Sequence, residues 1–144
     1  MSGETALRRG SGTKAAWGIR ALGVFWFVAA GIAAVAGASL VWPAAGLARI
    51  WKLNPRAYGE LAPHARLAGA GFLALAGVLL GAAWGWRERR AWGWKLGAGI
   101  LGVQVCGDVV NVAMGRVWEG AVGAAIGGVV LWYAARAEVR KEFA

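Results

Sequence analysis

Polar and apolar positions along the chain segregate into blocks. Four stretches of about 19 to 25 residues, at roughly 17–41, 67–86, 92–115 and 117–135, are nearly free of charge. Each is long enough to cross a hydrocarbon core of about 30 Å. A helix packed in a soluble domain keeps a polar face toward water, and these stretches have none. The pattern predicts an all-α polytopic membrane protein, with four transmembrane helices in an up-down bundle spanning residues 16–136. Trp17 and Trp42 bracket the first span, and Trp132-Tyr133 closes the fourth, where amphipathic rings suit the headgroup level. The turn Arg87-Glu88-Arg89-Arg90 is short, so the second and third spans are antiparallel neighbours.

Between the first two spans lies the one long connection, an outer loop over 43–66. Leu47, Ile50, Trp51 and, less cleanly, Leu53 form an apolar stripe at helical spacing, with Arg49 and Lys52 off it. This fits a short interfacial helix on the outer leaflet. Asn54-Pro55 breaks it, and Pro55 is placed to start another turn. The loop reads equally as a lid and as a spacer. Residues 1–15 are polar and basic and read as a flexible cytoplasmic tail, and 137–144 as a charged one. The basic start, the apolar run 21–33 and Ala34-Val35-Ala36 also resemble a cleavable signal peptide. The apolar run continues to Trp42, which favours a retained helix.

Charge sets the orientation. Of the basic residues, eleven fall on one side of a four-span chain: Arg8, Arg9, Lys14, Arg20, Arg87, Arg89, Arg90, Lys95, Arg136, Arg140 and Lys141. Five fall on the other: Arg49, Lys52, Arg56, Arg66 and Arg116. The excess places both termini in the cytoplasm, most simply of a bacterial inner membrane. The formal charge of +9 thereby follows from topology, and the partner it implies is the anionic headgroup layer of the inner face, not a nucleic acid. Arg20 and Lys95 are placed to snorkel to that layer.

Glycine marks candidate packing faces. Gly77, Gly81 and Gly85 recur every four residues in the second span, and Gly123 and Gly127 in the fourth. Small residues at this spacing let helices approach closely, within the chain, in a homo-oligomer or against a membrane-protein partner. A weak internal repeat is also visible. Ala16-Trp17-Gly18-Ile19-Arg20 opens the first span and Ala91-Trp92-Gly93-Trp94-Lys95 the third, as in a parallel duplication. A Trp, a cation and a small residue are also favoured at any inner interface.

The third span carries the most chemistry. Gln104, Asp108 and Asn111 are spaced i, i+4, i+7, within about 40° of one helix face. An aspartate near mid-span costs about 2.5 to 3.5 kcal/mol on insertion scales, so something offsets it. It can be neutral or paired and tie helices together, anchor a polar group of a small ligand, or carry a proton or cation. Arg66 and His64, at the outer start of the second span, complete a candidate outer-half pocket with these three. Trp26, in mid-span, reads as packed core or lipid-facing.

Other chemistries lack their residues. One cysteine, Cys106, and one histidine, His64, build neither a disulfide nor a protein-only zinc site. No nucleophile–base set, Walker loop or Cys-x-x-Cys is present, and the sequence implies no cofactor. The intramembrane glutamate of small multidrug exporters is missing from the first span.

The stretch Ile19-Arg20-Ala21-Leu22-Gly23-Val24-Phe25-Trp26-Phe27-Val28-Ala29-Ala30-Gly31-Ile32 resembles the opening span of small bacterial DoxX-like membrane proteins. The resemblance implies four spans with a longer first outer loop, and it carries no catalytic residues over. Some DoxX-like members resemble quinone-linked oxidoreductase subunits, which brings in a lipid-soluble, quinone-like ligand. Two functions are therefore expected: a non-enzymatic accessory component packing through glycine faces, or a ligand-binding, oxidoreductase-associated protein using Asp108.

Overall fold

The computed structural model describes residues 2–43 and 47–143. The side chains of Arg8, Arg9 and Lys14, and residues 44–46 of the outer loop, lie outside the described residues. Among the described residues every regular element is helical. In order these are α1 (Ser2–Val41), a 3-10 turn over Leu47–Leu53, α2 (Pro55–Leu61), a second 3-10 turn over Ala62–His64, α3 (Ala65–Arg87), α4 (Ala91–Ala113), α5 (Val117–Ala135), α6 (Ala137–Arg140) and a final 3-10 turn over Lys141–Phe143.

Among the described residues four helical segments are long and apolar enough to cross a membrane: Ala16–Val41, Pro55–Arg87, Ala91–Ala113 and Val117–Ala135. The shortest, at 19 residues, is about 28 Å long at about 1.5 Å per residue, close to the thickness of a hydrocarbon core. Large apolar side chains point outward along them, among them Val24, Ile32, Val103, Ile126 and Val129. That surface suits lipid, where apolar exposure carries no penalty. The protein is a multi-pass membrane protein.

The chain divides into two compact units, Met1–Gly23 with Ala82–Ala144, and Val24–Gly81. In the second, α1 and α3 meet at Gly37 and Gly69. A Cβ on Gly37 would stand 2.8 Å from the Gly69 carbonyl oxygen, so only glycine permits the approach. The loop folds back on α1 through Trp51, whose Nε1 donates to Ser39 Oγ at 2.9 Å. Ser39 Oγ in turn donates to the Ala36 carbonyl at 2.7 Å, which satisfies a buried hydroxyl. The stripe that contains Trp51 forms a 3-10 turn, and Trp51 packs on Tyr58 with ring centroids 5.5 Å apart. Asn54 caps α2, its Oδ1 accepting from Ala57 N at 3.1 Å, with Pro55 at the first helical position. Trp26 is packed core, 1% exposed, and its indole N–H has no hydrogen-bond partner among the described residues.

In the first unit, α3 passes into α4 by a tight reversal. Arg90 N donates to the Gly85 carbonyl and Arg89 N to that of Trp86, the paired bonds of a Schellman ending. Arg89 takes the left-handed conformation there, at φ 55°. The turn from α4 to α5 repeats the motif with Gly115 at φ 87°, through Arg116 N to Asn111 O and Gly115 N to Val112 O. Just inside the first turn Gly85 and Gly93 touch: a Cβ on Gly85 would lie 2.6 Å from the Gly93 Cα.

Both ends of the chain have helical backbone. From Ser2 onward it continues α1. At the other end α6 and the 141–143 turn are docked, not free. Val139 and Phe143 are 1% and 2% exposed, and Phe143 stacks on Trp86 at 4.6 Å. Spaced i, i+4, these two apolar residues form one inward stripe, while Arg136, Glu138, Arg140, Lys141 and Glu142 stay exposed. Trp86 Nε1 donates to the Ile19 carbonyl at 2.9 Å, and Arg89 pairs with Glu142 at 2.8 Å.

Candidate functional site

The antiparallel pair α4–α5 positions the polar residues of the third span. On α4 the inward seam is Gly93, Gly97, Leu101 and Asp108. On α5 it is Gly120, Gly127 and Ala134, at seven-residue spacing, with half-buried Gly123 between the first two. That spacing keeps one narrow face toward a neighbouring helix along its whole length. The registration is fixed at one end by Trp94 Nε1, which donates to the Ala134 carbonyl at 2.8 Å. Toward the other end, Gly127 faces Val105, and Gly120 abuts the backbone carbonyl of Asp108.

Asp108 is 7% exposed, and its carboxylate lies directly on the backbone of α5. A Cβ built on Gly123 would stand 2.6 Å from Asp108 Cγ and 2.6 and 2.7 Å from its two oxygens. The acid thus occupies the space that a side chain at position 123 would need. Gln104 Nε2 donates to Asp108 Oδ2 at 3.2 Å from one turn earlier on α4. Both groups removed from water are therefore partly satisfied by each other, as a polar pair in hydrocarbon requires. Gln104 is itself exposed, and Asn111 is half-buried on the following turn.

His64 and Arg66 belong to the other unit. His64 ends the Ala62–His64 turn, Arg66 lies in the first turn of α3, and both are exposed. Of the five residues expected to line one pocket, Gln104, Asp108 and Asn111 lie in this unit and His64 and Arg66 in the other.

The glycines divide into two sets. Gly85, Gly123 and Gly127 each face another part of the chain closely, whereas Gly77 and Gly81 have nothing within 4 Å of where a Cβ would be. Sequence reading missed Gly120, although it continues the Gly123/Gly127 face by one turn. It also missed the Trp86–Phe143 contact, whose only sequence signal was the apolar pair Val139 and Phe143 among charges. Among the described residues no cluster of three or more His, Cys, Asp or Glu side chains is placed to hold a metal ion. Comparison of the chain with protein-family models, curated proteins and solved structures gives no match.

Proposed function

We propose that this is a non-enzymatic accessory component of a bacterial inner membrane, with both termini cytoplasmic, that packs through α3 against another transmembrane helix. The reading rests on how the chain uses small residues. On α5, Gly120, Gly123 and Gly127 carry α4, whereas Gly99 and Gly102 on α4 and Gly128 on α5 have nothing within 4 Å of where a Cβ would be. On α3, Ala70, Ala74, Gly77 and Gly81 make a seam of the same spacing; the first three are exposed and the fourth half-buried. Among the described residues nothing lies within 4 Å of where a Cβ on Gly77 or Gly81 would be. Close backbone approach is the main source of affinity between helices in lipid, where burial of apolar surface gains nothing. The eleven-to-five division of basic residues supports the orientation.

The test is chemical crosslinking in native membranes. Wild-type chain is expected in a crosslinked complex, with itself or with a second polypeptide, and Gly77→Leu or Gly81→Leu is expected to reduce that complex about fivefold or more. Complexes that survive both substitutions would sink the reading.

One observation favours a second reading, binding of a lipid-soluble, quinone-like ligand. The exposed amide of Gln104 is bonded to the buried carboxylate of Asp108, so a polar group leads from the lipid-facing side to the acid. Native mass spectrometry from nanodiscs separates the two. An organic molecule that accompanies wild type and is lost from Asp108→Asn would move the assignment to this reading.

A further inference from the structure

The docked C-terminal segment gathers cations that form no ion pair among the described residues and lays two of them on tryptophan rings. The Arg140 guanidinium sits 5.8 Å from the centre of the Trp94 ring, and that of Arg136 sits 5.3 Å from the Trp132 ring. We propose that the ends of α4 and α5 together with α6 form a site for an anionic phospholipid headgroup, with Arg136 and Arg140 binding the phosphate.

Several features make this a built site, not a loose run of charge. Trp94 is held by its bond to the Ala134 carbonyl, so the floor beneath Arg140 is fixed. Burial of Val139 and Phe143 on either side of Arg140 in sequence fixes its backbone. The nearby acids are mostly engaged: Glu142 with Arg89 and Glu88 with Arg90. Glu138 is the carboxylate of this segment outside those pairs, against Arg136, Arg140 and Lys141. A guanidinium lying over an indole keeps its N–H edge free, and that edge matches two phosphate oxygens. Indole rings also favour the headgroup level of a bilayer.

The surroundings point to a lipid and not to a free phosphate. From Trp132 an apolar strip descends α5 through Val129 and Ile126, which are 65%, 65% and 63% exposed. Acyl chains attached to a phosphate at Arg136 would lie along that strip.

The full chain in detergent is titrated with phosphatidylglycerol, phosphatidylcholine and glycerol phosphate, and bound adducts are counted by native mass spectrometry. Phosphatidylglycerol is expected to be retained and the other two not. R136Q/R140Q is expected to weaken it about 30-fold, at about fivefold per surface cation. R49Q/R56Q removes the same charge from the other unit and is expected to change it by less than about twofold. R136K/R140K keeps the charge without the planar fork and is expected to fall between wild type and R136Q/R140Q. Equal losses in the two glutamine doubles, or equal retention of the two lipids, would overturn the proposal. Competition by glycerol phosphate at the same concentration as the lipid would overturn it in favour of a soluble-phosphate site.

Discussion

Gly123 has no side chain, and Asp108 fills the place where one would be. A methyl group at 123 must displace the carboxylate, because its three nearest atoms all belong to that acid. Gly123→Ala is therefore expected to cost about 1 to 3 kcal/mol of stability, the usual penalty for overfilling a packed site. The cost should fall once the acid is shortened. In a double-mutant cycle with Asp108→Ala, the two changes are expected to couple by about 1 kcal/mol or more. Denaturant titration of the four proteins in detergent measures it, and strictly additive losses would show that the two residues do not touch. The expense of Asp108 in a membrane span was legible in the sequence, since it needs only the residue and its depth. Its cover on α5 was not, because which residue of α5 lies opposite depends on how the two helices slide past each other. Gln104 was legible as a neighbour, being one turn away on the same helix.

At the scale of elements, the four spans follow from length and hydropathy, and the small-residue face of α5 was legible in Gly123 and Gly127. The C-terminal segment was the least legible. Seven residues hold too few apolar positions to set a period, and their four charges suggest a tail until Phe143 is seen against Trp86. Phe143→Ala is expected to cost about 3 kcal/mol of local stability, in line with truncation of a buried aromatic residue. Amide hydrogen exchange over residues 137–143 should then accelerate by about two orders of magnitude, with α5 amides near mid-span unchanged. Unaltered exchange in the C-terminal segment would mean that this docking contributes nothing.

For the whole molecule, the distribution of cations predicts the orientation. In a Cys106→Ser background, single cysteines at Glu88 and Glu138 are expected to react with an impermeant thiol reagent only after the inner face is opened. Cysteines at Arg56 and Arg116 are expected to react in intact cells. The reverse pattern would place the termini outside and detach the basic excess from topology.

The placement of Asp108 against α5 also has a consequence for how the chain is made. Gly123 follows Asp108 by fifteen residues in the chain, so α4 leaves the ribosome ahead of the face of α5 that covers its carboxylate. Until α5 joins it, α4 carries the insertion cost of that carboxylate with only Gln104 beside it. α4 and α5, joined by the tight turn at Gly115, therefore gain from entering the bilayer as a pair.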